Sequence, residues 1–146
     1  MSPASGPRRR GRWILLGLLL AFGIAQAMPV ERTNPPVEWD VDAPAEVAAI
    51  LRGACYDCHS HETRWPWYSR VAPVAWIVAR HVEHGRGDLN FSQWPRLDLE
   101  AQEHAFHDIE EQISHRKMPL RSYTWMHPEA RLTEAQRQAL LTWCNP

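Results

Sequence analysis

The chain has 146 residues, a nearly balanced charge and a high tryptophan content. Sixteen Lys and Arg residues against 17 Asp and Glu residues give a formal net charge of −1, and there are 8 tryptophans and 3 cysteines. A nucleic-acid-binding domain shows a marked basic excess, so we expect no nucleic-acid partner. Residues 28–146 are enough for one domain and too few for two.

The N-terminal segment combines a basic cluster with a short apolar run. Four arginines lie between positions 8 and 12, an uncharged stretch extends from Trp13 to Ala25, and Ala27 ends a small-x-small site. This order is typical of a secretory signal peptide cleaved after Ala27. The apolar stretch is short for a membrane span, which needs about 20 residues. Extended over residues 13–30, it becomes an uncleaved inner-membrane anchor. Residues 1–27 are therefore predicted to be a signal peptide or an anchor, with the rest of the chain in the periplasm.

Residues 28–41 form a proline-rich stretch without helical periodicity, which predicts an extended spacer. The domain is assigned to residues 42–146, and its first helix is expected to begin near Asp42, with Pro44 tolerated in the first turn. An apolar stripe spaced as in an amphipathic helix then leads directly to a cysteine. The stripe comprises Val47, Ile50, Leu51 and Ala54.

Residues 55–59, Cys-Tyr-Asp-Cys-His, form a C-x-x-C-H motif. Two cysteines three positions apart on a helical turn place both sulfurs on one side of the backbone. There each sulfur can form a thioether with a vinyl group of haem, and the histidine that follows can offer a ring nitrogen to the iron. The motif therefore predicts one covalently attached haem c, bound through Cys55 and Cys58, with His59 as the proximal ligand.

Three further helices are predicted downstream, and no stretch shows the alternating pattern of a strand. They cover residues 73–84, ending at the glycines of Gly85–Gly87, residues 98–116, and the stretch from Thr133, where a capping box with Gln136 begins the last helix. The fold class is therefore all-α, with about four helices in the domain after the N-terminal one. The residues expected on the apolar faces are Val74, Ala75, Val78, His81 and Val82; Leu99, Phe106, Ile109 and Ile113; and Leu132, Ala139, Leu140, Trp143 and Cys144.

Cys144 is the third cysteine and has no obvious partner, which is unusual for an exported chain. We interpret it as a small buried side chain on the last helix, with an intermolecular disulfide or a reactive thiol as alternatives. Three histidines of the third helix fall off its apolar stripe and are expected in solvent: His104, His107 and His115. Most tryptophans are expected to fill the small core, and some to pack against haem.

The sixth position of the iron has one main candidate, Met118. Because Pro119 follows it, Met118 is excluded from helical backbone and should lie where the third helix ends. Its thioether can then project from a loop, and Met/His ligation raises the reduction potential and suits electron transfer. The alternatives are that Met118 fills the core, or that His81, on the apolar face of the second helix, is the sixth ligand instead.

The chain resembles the bacterial exported haem-binding domain family, which is related to class I cytochromes c. Four motifs carry the resemblance in order: C-x-x-C-H at 55–59, W-P-W-Y at 65–68, L-N-F-S-x-W at 89–94 and K-M-P-L at 117–120. The likeness extends over about 55–146, and the T-N-P-P stretch at 33–36 also looks like that of family members. It implies a small cytochrome c-like domain wrapped around haem, thioethers at Cys55 and Cys58, proximal ligation by His59 and distal ligation by Met118. His61 stands where a small polar residue is more frequent, so its role stays open.

The function predicted first is one-electron transfer between exported redox proteins, with the iron saturated by His59 and Met118 and no substrate bond changed. In that case the protein is a carrier and not an enzyme, and the N-terminal segment provides any membrane attachment. With an open sixth position, a haem-based sensor or a peroxidase-like enzyme are the alternatives. A zinc site at Cys55 and Cys58 lacks a fourth ligand at typical spacing, and a dithiol redox centre lacks the βαβ context.

Overall fold

The computed structural model describes residues 7–37, 39–96 and 98–145, and all of the regular structure in these ranges is helical. The prediction of an all-α fold is confirmed. The α-helices are α1 Pro7–Ala27, α2 Ala45–Ala54, α3 Tyr56–His59, α4 Val74–Asp88, α5 Leu99–Ser114, α6 Arg121–Met126 and α7 Glu134–Cys144. Short 3-10 helices cover Trp67–Arg70, Phe91–Arg96 and Pro128–Ala130.

The described chain forms two compact units. The first contains α1, the residues up to Arg32, and Pro66–Arg80. The second contains Thr33–Trp65 and the residues from His81 onward. The motif at 55–59 and Met118 both belong to the second unit.

The core of the second unit is built by α7, which packs on both α5 and α2. Its most deeply buried large side chains are Leu51, Phe91 and Leu140. Cys144 is also buried in this core, which confirms its interpretation as a small buried side chain. An aromatic cluster continues the core, with ring centroids 4.9–6.1 Å apart in successive pairs. Its members are Phe91, Trp94, Phe106 and Trp143.

Thr133 and Gln136 form the predicted capping box of α7. At the start of α5, the Asp98 side chain accepts a hydrogen bond from the Ala101 amide. Leu99 was predicted on the apolar face of α5, but it is 79% exposed. It lies in the first turn, beyond the part of the helix that the core covers.

Helix α4 differs from its prediction in length and in its buried face. It continues through both glycines to Asp88 instead of ending at His84. The buried positions are Ala75, Val82 and Gly85, whereas His81 is exposed. The buried line of α4 therefore passes through residues 75, 82 and 85, and Val74, which the sequence predicts on the apolar face, is 41% exposed.

The loop after α5 places Met118 outside helical backbone, as the following proline predicts. Helix α5 ends at Ser114, and the amides of Arg116 and Lys117 donate to the carbonyls of Ile113 and Gln112. This is the Schellman pattern, which requires a left-handed residue after the helix. Arg116 occupies that position with φ 54°, although glycine is the usual residue there.

Helix α6 lies between the predicted helix at 98–116 and the predicted helix from Thr133, where the sequence predicts no helix. It has six residues, too few for an apolar period to be recognised in the sequence. It follows Met118 closely and brings Tyr123 to the functional site.

Arg116 offers a test of this loop. We expect Arg116→Gly to be more stable than Arg116→Ala by about 0.5–1 kcal/mol, because only alanine carries a Cβ into the left-handed conformation. Both variants lose the exposed ion pair with Glu134, so that contribution cancels. Denaturant unfolding of the two variants measures the difference, and equal stabilities would contradict the described turn.

Candidate functional site

The predicted site residues line two adjoining cavities of the second unit. Their volumes are about 440 Å³ and about 110 Å³, and the larger is within the usual range of small-molecule sites. Both are lined by Ala54, Cys55, His59, Asp88, Met118 and Pro119. The apolar wall of the larger one is supplied by core residues, among them Leu51, Phe91, Ile109, Ile113 and Leu140.

His59 ends α3 and lies on the wall of both cavities. Its Nδ1 atom is 3.1 Å from the carbonyl oxygen of Leu89. Because a carbonyl only accepts, Nδ1 carries the hydrogen and Nε2 keeps its lone pair. Burial lowers the pKa of His59 despite this hydrogen bond, so the ring is neutral near pH 7. A neutral imidazole whose other nitrogen is fixed by a carbonyl is a well-oriented metal ligand.

The two cysteines of the motif lie in a single tight turn. The amides of Cys58 and His59 both donate to the Cys55 carbonyl, at 3.1 and 3.0 Å. Burial, with a smaller contribution from the other cysteine, raises the pKa of Cys55 to about 12. Burial and Asp57 raise the pKa of Cys58 to about 11. Redox-active dithiols have lowered pKa values, so these thiols do not fit a dithiol redox centre.

Gly85 allows α4 to lie against the motif. A Cβ atom at this position would be 2.7 Å from the Cys58 carbonyl oxygen and 3.1 Å from its carbonyl carbon. The Gly85 carbonyl accepts from the Leu89 amide at 3.0 Å, so the close approach also places the Leu89 carbonyl that His59 contacts. The sequence predicts that the helix ends at these two glycines. A glycine that allows two backbones to approach closely looks the same in a sequence as one that ends a helix.

Asp57, between the two cysteines, is buried and connects the motif to α6. It accepts from the Arg64 guanidinium at 3.0 and 3.1 Å, and from the Tyr123 hydroxyl at 2.7 Å. Burial alone would raise the pKa of Asp57, but these hydrogen bonds outweigh it and lower the pKa. Burial and the bond to Asp57 raise the pKa of Tyr123, which keeps its hydroxyl a donor. Asp57 and Tyr123 were not among the predicted site residues. The only signal for Asp57 in the sequence is Arg64, an arginine seven positions after it.

The Arg86 side chain connects residues 33–34 to residues 60–63, which follow the motif. Its guanidinium donates to the carbonyls of Ser60 and Thr33 and to the side chains of Asn34 and Thr63, at 2.8–3.0 Å. Residues 33–37 contain no helix. They also make specific contacts, so the second unit begins at Thr33.

His61 has a structural role. Its Nδ1 atom lies 3.2 Å from the Pro36 carbonyl, and its Nε2 atom lies 2.9 Å from Nδ2 of Asn90. With both ring nitrogens engaged, His61 is not free to join the cysteines around a metal ion. Among the described residues, no group of three or more His, Cys, Asp or Glu side chains could hold one.

The two candidates for the sixth position differ in placement. Met118 is half-buried, packs on the core and lines both cavities. His81 is exposed on α4 and lines only the smaller cavity. Of the two candidates, only Met118 lines the larger cavity together with His59. The three histidines expected in solvent, His104, His107 and His115, are all exposed.

The model of the haem-binding domain family matches residues 20–146. The chain belongs to this family. The matched range includes the motif, both cavities and Met118, and the haem-binding domain identifies the protein as a haem-binding protein. No curated protein and no solved structure matches the chain.

The residues at the cavities fit haem. His59 offers a neutral nitrogen with its second nitrogen fixed, and most of the lining of the larger cavity is apolar. A thioether sulfur lies on the wall of the same cavity, at Met118. Imidazole and thioether are both recognised axial ligands of haem iron.

Gly85 can be tested against a second glycine of the same helix. Gly85→Ala is expected to lower the free energy of unfolding by about 1–3 kcal/mol, because its Cβ meets backbone atoms that cannot rotate away. Gly87→Ala is the control, since beyond the neighbouring backbone of its own helix no atom lies within 4 Å of an added Cβ. Chemical unfolding of the haem-loaded protein distinguishes the two, and equal effects would contradict the described packing of α4 on Cys58.

Tyr123→Phe tests the connection between α6 and the motif. We expect a loss of about 1–2 kcal/mol in unfolding free energy, because the buried Asp57 loses one of its hydrogen-bond donors. The exposed neighbour on the same helix provides the control variant Ser122→Ala, for which a change within about 0.5 kcal/mol is expected. A Tyr123→Phe protein as stable as the parent would show that Asp57 does not depend on α6.

Proposed function

We propose that this protein carries one covalently attached haem c and transfers single electrons between exported redox proteins. In this proposal Cys55 and Cys58 hold the haem, His59 is the proximal ligand of the iron and Met118 the distal one. The observation that supports it most directly is the engagement of His59 Nδ1 by the Leu89 carbonyl, which leaves the lone pair on Nε2 of a ring that borders a cavity of about 440 Å³.

Attachment requires only the two thiols of the motif. Each S–H adds across a vinyl double bond, so that a carbon–sulfur bond forms, the thiol hydrogen moves to the neighbouring carbon, and no oxidant is consumed. Cys55 borders both cavities and Cys58 borders the smaller one, so both thiols are at the site. Once bound, haem supplies a reversible one-electron couple of its iron. We also propose that the domain is related to class I cytochromes c.

Ligation by Met118 is supported by its position and by the backbone that holds it. The Gln112 carbonyl accepts from the Met118 amide at 3.3 Å as well as from the Lys117 amide at 2.9 Å. The thioether-bearing residue is therefore fixed directly after α5, at the wall it shares with His59. His81 lacks access to the larger cavity and is the less suitable ligand.

The polar lining favours a carrier over a peroxidase-like enzyme. Peroxide reduction calls for a distal cation or a basic imidazole beside an open iron position. The larger cavity is bordered by two carboxylates and an amide, those of Asp88, Asp108 and Gln112. Among the described residues that line it, His59 is the only basic side chain, and it is assigned to the iron.

Export is supported by the N-terminal helix. Residues Arg9–Ala27 are long and apolar enough to cross a membrane, with a mean hydropathy of 1.2 and no burial. Such a helix serves a signal peptide or an anchor, and either places the haem-binding unit outside the cytoplasm. We propose the periplasm as the compartment.

Substituting Met118 tests the sixth ligand. Met118→Ala is expected to abolish the weak charge-transfer band of methionine-ligated ferric haem, while haem stays attached through the intact motif. The matched control is His81→Ala, which should keep the band. A band that survives Met118→Ala, or disappears in His81→Ala, would overturn the assignment of Met118.

Carbon monoxide distinguishes the carrier from the alternatives. We expect no binding to the untreated ferrous protein, because both axial positions are filled, and immediate binding in Met118→Ala, where one is open. Difference spectra record both outcomes. Rapid binding by the parent protein would favour a sensor or an enzyme.

A further inference from the structure

The last turn of α1 is joined to a distant loop within the first unit. The Gln26 side chain accepts from the Ala72 amide at 3.0 Å and donates to the Ala72 carbonyl at 3.2 Å. The Arg32 guanidinium donates to the Ser69 carbonyl at 3.2 Å. These side chains lie at and directly after the end of α1, so residues 69–72 are held where this helix ends.

Residues 67–72 and the start of α4 carry several large apolar side chains that are exposed. Trp67 is 73% exposed and Ile77 54% exposed. Arginines flank these side chains at Arg70 and Arg80, both exposed. We call residues 67–77 the apolar segment; its exposed large side chains are Trp67, Val71, Val74, Trp76 and Ile77.

The position of the apolar segment points to a lipid surface. A membrane-spanning helix has its last turn at the boundary between lipid and water, so Ala72, bonded to Gln26, would lie at that boundary as well. Tryptophans are enriched at this level of a membrane, and arginines beside it interact with anionic headgroups. The four arginines between positions 8 and 12 orient such a helix with its N-terminus in the cytoplasm.

We propose that α1 is retained as a membrane anchor and that the apolar segment lies in the outer-facing lipid interface of the same membrane. Cleavage after Ala27 would remove Gln26 and its two bonds to Ala72, which the retained chain keeps. The occupant of the exposed apolar surface is the phospholipid bilayer, entered by Trp67, Trp76 and Ile77. This inference does not depend on haem or on its ligands.

The test uses the full chain after export and purification. The protein is reconstituted into vesicles of phosphatidylethanolamine and phosphatidylglycerol. Intact mass first shows whether α1 is present. A trace of phospholipid with a photoactivatable diazirine near the headgroup is then activated, and the cross-linked peptides are mapped. We expect label on α1 and on residues 67–77. The internal control is α6, where Trp125 is 78% exposed and Met126 46% exposed; little label is expected there.

A double variant gives the matched comparison. Trp76→Ser combined with Ile77→Ser should reduce labelling of the apolar segment about tenfold, because two large side chains leave the lipid. Trp125→Ser combined with Met126→Ser should leave it unchanged. Far-ultraviolet circular dichroism verifies that both proteins are folded.

Three results would overturn the proposal. A mass without residues 1–27 would show that α1 is not retained. Label confined to α1 would show that the apolar segment faces water or another protein. Equal labelling of the apolar segment and α6 would show that exposure, and not the membrane, determines the reaction.

Discussion

The imidazole of His59 donates its Nδ1 hydrogen to the Leu89 carbonyl, and the geometry of the site depends on this bond. It determines the tautomer and leaves the lone pair on Nε2 of a ring that borders both cavities. The bond in turn depends on where α4 ends, because Leu89 is the first residue after that helix. Gly85 sets this position, since a side chain there would meet the Cys58 carbonyl. The absence of a side chain at Gly85 thus helps to orient the imidazole of His59.

The other wall of the site is positioned by backbone bonds and one buried acid. The Schellman end of α5 places Met118, and α6 follows immediately. Tyr123 of α6 donates to Asp57, which lies within the motif. The segment that carries the proposed distal ligand is therefore tied to the segment that carries the proximal one. Such a closed arrangement resists changes in the distance between them, which suits an electron carrier whose ligands stay bound.

The sequence predicted the features that depend on local chemistry. The capping box at Thr133, the break before Pro119 and the apolar stripe of α2 each follow from neighbouring residues, and each is confirmed. Contacts between distant residues could not be predicted in this way. Gly85 predicts a helix end from the sequence, although here it serves close packing, because glycine is used for both. Asp57 and Tyr123 are 66 positions apart, and nothing in either local sequence indicates the other.

Covalent attachment of haem through Cys55 and Cys58 is the central claim, and the mass of the denatured exported protein tests it most directly. The account predicts the polypeptide mass increased by one haem, with the whole increase on the proteolytic peptide that contains residues 55–59. A polypeptide mass alone, with haem released on denaturation, would contradict it. An increase on the peptide that contains Cys144 would contradict it equally.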